Sequence, residues 1–189
     1  MTIDDLDAVT RIEMKALLSF LQDGVAYQSR VARMMRTVSE SLHLVQYHQP
    51  VDEPKYKNST QLKLINLFVS RQAALLMGST QGEFVAGTVL EHPLPLEKMY
   101  LNLKPLATRN YQSIVDVLGG WPLITVTRQE DRELKHSGWD NPADRYRNAN
   151  IEVGRVEAIR FGSDAPKWKP IAHKGWLTDP RPGGPIGRA

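Results

Sequence analysis

The chain has 189 residues, 41% apolar and 24% charged, with a net charge of +3 and no cysteine, so disulfides, thiolate metal sites and a cysteine nucleophile are excluded. That length is one ordinary domain, enough to bury roughly 70% of the surface the unfolded chain would expose. The first residues, Met1-Thr-Ile-Asp-Asp-Leu-Asp, are acidic where a signal peptide is basic, and no apolar run exceeds about six residues against the roughly 20 that span a bilayer. A cytoplasmic or virion protein is expected, not secreted through a signal peptide and with no membrane partner.

Thr2 with Asp4, Asp5 and Asp7 reads as a helix start, because a hydroxyl can cap free N–H groups and carboxylates suit the positive end of the helix dipole. Leu6, Val9, Met14, Leu17 and Leu21 then recur at nearly helical spacing, and Gly24 interrupts them. Tyr27, Val31, Met34, Val38, Leu42 and Val45 follow in steps of three and four and predict a second helix that ends before Pro50. Asn58-Ser-Thr is a further cap signal. Leu62, Ile65, Phe68, Val69 and Leu76 predict a third helix on one face, closed at Gly78. Residues 78–95 fit a short strand or a turn of helix, and His92-Pro-Leu-Pro is a break. Pro105 suits the first turn of another helix through Leu106, Tyr111, Ile114, Val115 and Leu118 to Gly119-Gly120.

After Trp121-Pro122 the texture changes. Leu123-Ile-Thr-Val-Thr127 and Ile151–Phe161 are β-prone, with Gly154 marking a bulge or kink in the second. Residues 165–189 are rich in proline and glycine and are expected to be extended. No internal repeat is read. The predicted fold class is mainly α: an N-terminal helical bundle over 1–120, a small β-containing extension over 121–164 and an extended Pro/Gly-rich arm over 165–189.

No catalytic, metal-ligating or cofactor-binding residue is read from the chain. The histidines, 43, 48, 92, 136 and 173, show no metal-ligand spacing. Gly78-Ser-Thr-Gln-Gly82 lacks the lysine of a phosphate loop and has Thr80 where a nucleophile elbow needs serine. Asp4, Asp5 and Asp7 are explained by helix capping. Glu130, Asp131 and Glu133 lie in the mixed-charge run Arg128–Lys135, which reads as a solvated face. Ile114-Val-Asp-Val-Leu-Gly-Gly-Trp-Pro-Leu123 resembles a short stretch of the neprilysin-type metallopeptidases. That family's His-Glu-x-x-His and its cysteines are absent, so no residue is carried over. A helix ending in Gly-Gly before Trp-Pro explains the match equally well.

What remains is asymmetry. Residues 1–120 hold 12 basic and 12 acidic side chains, whereas 121–189 hold 12 and 9, and all four tryptophans fall after residue 120. Tryptophan, tyrosine and arginine dominate protein–protein hot spots. Trp139, Arg145, Tyr146, Arg147, Trp168, Lys169 and Trp176 are therefore the expected partner-binding residues. The expected role is that of a structural subunit, a connector or adaptor of a virus particle or phage tail machine. Its partners would be other protein subunits in a homo-oligomer or hetero-assembly. The alternative is a nucleic-acid-binding accessory protein using Arg30, Arg33 and Arg36, spaced by three on one helix, with Lys167, Lys169 and Lys174.

Overall fold

The computed structural model describes residues 6–47, 59–105, 110–137 and 141–171. In chain order these form α1 (Ala8–Gln22), α2 (Ser29–Tyr47), α3 (Ser59–Lys63), β1 (Phe68–Ser70), α4 (Arg71–Leu76), α5 (Gln81–Gly87), β2 (Thr88–Glu91), α6 (Leu96–Leu103), α7 (Tyr111–Leu118), β3 (Ile124–Thr127), α8 (Arg128–Leu134), α9 (Pro142–Asn148), β4 (Val153–Arg155) and β5 (Lys169–Pro170). They divide into two units interleaved along the chain. The first is built from the described residues of 1–54 and 94–122, the second from those of 55–93 and 123–179.

The first unit is helical. Asp7 caps α1 by accepting from the Val9 and Thr10 N–H groups, and Gly24 takes a positive φ of 70° after its end. The repeat of three and four in α2 places Val31, Met34, Met35, Val38 and Leu42 on one buried face. This face meets Met14, Leu17 and Leu21 of α1 and Met99, Tyr100, Leu103, Ile114, Val115 and Leu118 of α6 and α7 in one core. Each such fully buried side chain contributes roughly 1.5–3 kcal/mol. Buried polar groups are matched: the Thr10 hydroxyl donates to Ser41 Oγ at 2.7 Å, and Ser39 Oγ donates to the Leu118 carbonyl at 3.0 Å. Trp121 packs half-buried against this core.

The second unit is a mixed five-stranded sheet in the order β2-β3-β1-β4-β5 with short helices after its strands. β1 and β3 run parallel, with Val69 opposite Thr125, and every other pairing is antiparallel. Two β-strands that each feed a helix thus lie side by side. Ser70 closes β1 and caps α4. Thr127 closes β3 and caps α8 through a capping box with Glu130. Buried Asn66 fixes the entry to β1: its side-chain amide donates to the carbonyls of Phe68 and Leu123 and to Thr125 Oγ1, each at 3.1 Å. Val69, Ala73, Met77, Phe84 and Val156 form the core on one side, with Phe161 and Trp168 packed against it.

The expected mainly-α class is therefore corrected to α/β. The reason lies in residues 62–76. Leu62, Ile65, Phe68, Val69 and Leu76 fit one helical face, but the chain leaves α3 after Lys63, turns at Asn66 and forms the three-residue strand β1 before α4 begins. All three β1 residues are buried, so the strand shows no alternation. β2 also falls before residue 120, so the sheet is no late extension. Three smaller differences follow. Asp7, not Thr2, is the observed α1 cap, and Thr2 lies outside the described residues. α6 occupies a stretch just after the predicted break. Gly154 sits in regular pairing opposite Val69, not in a bulge, and its missing Cβ has another use.

Candidate functional site

On the helical unit, the outward flank of α1 is apolar. Val9 and Ile12 are 62% and 66% exposed, and the spacing of three, four and four carries the same flank on to half-buried Ala16 and Phe20. Arg30, Arg33 and Arg36 are all exposed on α2. Arg30 places its guanidinium carbon 5.6 Å from the centroid of the Phe20 ring, which joins the basic stripe to the apolar one.

In the second unit the expected partner-binding residues separate. Arg145 and Tyr146 are buried, at 4% and 0% exposure. Arg145 closes the corner where α9, α8 and β2 meet. Its Nη1 donates to the His92 and Pro93 carbonyls at 3.1 Å and pairs with Glu91 Oε1 at 2.7 Å, while its Nε donates to the Leu134 carbonyl at 3.2 Å. Glu91 also hydrogen-bonds Asp131. Burial pushes its carboxyl above the ordinary range, the Arg145 charge opposes that rise, and Asp131 adds to it. The Tyr146 hydroxyl is buried with no hydrogen-bond partner among the described residues, and burial, with Glu91 next, pushes its pKa well up.

Arg147 is exposed and pairs with Asp144 at 2.6 Å, and Lys169 is exposed and pairs with Glu157 at 2.7 Å. Lys167 is exposed. The Trp168 indole donates to the Val69 carbonyl at 3.2 Å and lies against Gly154, where a Cβ would come within 2.3 Å of its ring. Only a glycine lets the indole settle on the sheet there. Lys169-Pro170 forms β5, the sheet edge: proline lacks the N–H that another strand would pair with, and lysine repels such pairing. Trp139, Lys174 and Trp176 lie outside the described residues.

The run Arg128–Lys135 is more than a solvated face, since Glu130 is buried and Asp131 faces Glu91. Its signal was present: Val69-Ser-Arg-Gln72 and Val126-Thr-Arg-Gln129 are near-copies, and both are strand–cap–helix junctions. Among the described residues, no group of three His, Asp or Glu side chains could hold a metal ion, and no helix is long and apolar enough to cross a membrane. No protein-family model matches the chain, and no characterised protein or solved structure matches it significantly.

Proposed function

We propose that this chain works by protein–protein contact, as a subunit of a larger assembly. The observation that carries this reading is the α1 flank: Val9 and Ile12 stand out at 62% and 66% exposure on a helix whose opposite face is already packed. A helix apolar on two faces has a second surface to cover, and an interhelical contact with another subunit covers it at low entropic cost, because the helix is already formed. Arg30, Arg33 and Arg36 supply a basic border. Light scattering coupled to size-exclusion chromatography tests this reading. The wild type is expected to elute as a defined oligomer, and the Val9→Glu/Ile12→Glu double variant as a folded monomer. A wild type that stays monomeric at every concentration, or a variant of unchanged mass, would count against it.

A second reading, an accessory protein that binds nucleic acid, is favoured by one observation: all three arginines of the stripe are exposed on a single helix.

A further inference from the structure

Glu91 ends β2, and Asp131 lies in the first turn of α8. Their carboxyl groups are hydrogen-bonded to each other. Ionised carboxylates only accept hydrogen bonds, so a bond between two of them requires that one keep its proton. Like charges at that distance disfavour double ionisation for the same reason. The Tyr146 hydroxyl is a second, independent feature of the place. It is fully buried, has no hydrogen-bond partner among the described residues, and stands within electrostatic reach of Glu91, Glu130 and Asp131.

From this geometry we infer that Glu91 and Asp131 hold one proton between them at pH values where an ordinary glutamate has lost its own. The pair, with the Tyr146 hydroxyl beside it, is a proton-binding joint that fastens α8 and α9 to the end of β2. The groups around it come from every packed element. Arg145 of α9 pairs with Glu91 at 2.7 Å, and Lys135 of α8 pairs with Asp131 at 3.1 Å from the solvent side. Glu130 of α8 is engaged by Ser70 and Thr127. Lys63 of α3 is occupied at the other end of β2 by the Val85 and Thr88 carbonyls, and Glu83 of α5 is exposed and bound to Thr80. Arg145 is thus the one buried cation at the joint among the described residues, and it balances one negative charge. Release of the proton adds a second. Burial of Glu91, opposed by Arg145 and reinforced by Asp131, raises its pKa in the same sense.

The direction of the pH effect follows. A carboxyl whose folded pKa is raised stabilises the fold most fully below its unfolded value, and that contribution is lost as pH rises through the folded pKa. Mild acid should therefore tighten the packing of α8 and α9, and alkali should loosen it.

Carbon-13 NMR of the side-chain carboxyls in the full chain tests the joint directly. In the wild type, the Glu91 signal should titrate above the ordinary glutamate range, with Asp131 shifting in the same step. In Asp131→Asn the Glu91 midpoint should fall and the shared step should vanish. Amide exchange in α8, corrected for its intrinsic pH dependence, should quicken with pH in the wild type and stay level in Glu91→Gln. A wild-type Glu91 that titrates in the ordinary range overturns the inference without recourse to a variant. So does a Glu91 midpoint that Asp131→Asn leaves in place.

Discussion

The hydroxyl of Ser70 donates to the Glu130 carboxylate at 2.6 Å across 60 positions of sequence. The same oxygen, Oε2, accepts from the Thr127 N–H at 2.8 Å and the Thr127 hydroxyl at 3.0 Å, while Ser70 Oγ accepts from the Ala73 N–H. One buried carboxylate thus links the caps of both helices that leave the parallel strands. Glu130→Ala removes the capping box and the acceptor of the Ser70 proton together. A lost cap costs about 1 kcal/mol, and a lost hydrogen bond to a charged group about 1.5–3 kcal/mol. A total of roughly 2–4 kcal/mol is expected, measured by urea unfolding. Ser70→Ala should cost less, because the Thr127–Glu130 box remains. Equal losses in the two variants would mean that the link between the caps carries the whole effect.

Gly154 and Trp168 define a second test. A Cβ at position 154 would lie 2.3 Å from Trp168 Cε2 and 2.4 Å from the Lys169 carbonyl oxygen, and the latter is backbone, which cannot rotate away. Gly154→Ala should therefore lift Trp168 and β5 off the sheet, at a cost of about 1–3 kcal/mol. The Trp168 indole would lose its bond to the Val69 carbonyl, so its fluorescence should shift to the red. Comparison with a Trp168→Phe background isolates that signal. An alanine variant with unchanged emission and unchanged urea midpoint would contradict the packing described.

How legible these features are differs by element, and the reason is physical. α1 and α2 are long, with one buried stripe each, so their spacing identifies them. β1 is three residues long and buried throughout, and Phe68 and Val69 also satisfy a helical step from Leu62 and Ile65. Periodicity cannot separate those cases; local chemistry can. Thr80-x-x-Glu83 and Thr127-x-x-Glu130 are capping boxes written in the chain, each marking a helix start. The paired Val-Ser-Arg-Gln and Val-Thr-Arg-Gln segments mark the two parallel strands. The joint at Glu91 and Asp131 had no such sign, because its members come from separate elements 40 residues apart in sequence. Arg145 and Tyr146 have the composition of an interface hot spot, and the chain buries both within its own second unit.

Alkaline pH should weaken the helical unit. Burial pushes the phenol of Tyr47, at the end of α2, up to about 12 from an ordinary 10.0. A tyrosine with a raised folded pKa binds its proton more tightly folded than unfolded. Its contribution is complete below the unfolded pKa and is lost as pH rises from 10 through the folded value. The loss at the upper end is roughly 2–3 kcal/mol, from 1.36 kcal/mol per unit. In Tyr47→Phe that part of the pH dependence should disappear. Ultraviolet absorbance should show the Tyr47 phenolate appearing late and together with unfolding. Early titration of Tyr47 in a still-folded chain would refute its burial.

The arginine stripe separates the two functional readings. Arg30, Arg33 and Arg36 are exposed, and the only fold contact drawn from their guanidinium groups here is Arg30 over Phe20, a contact of about 0.5–1 kcal/mol at an exposed site. Replacing all three with glutamine should therefore leave the fold nearly as stable. If the stripe binds phosphates, each lost contact lowers the slope of log affinity against log salt by about 0.9 on duplex DNA, so a triple variant should lose between 2 and 3 from that slope, roughly. Fluorescence anisotropy with a labelled duplex, titrated at several salt concentrations, reads this directly. Absence of wild-type binding at low salt would remove the nucleic-acid reading. If the same triple variant shifts the oligomer distribution instead, the stripe borders the apolar flank of α1 in a subunit contact.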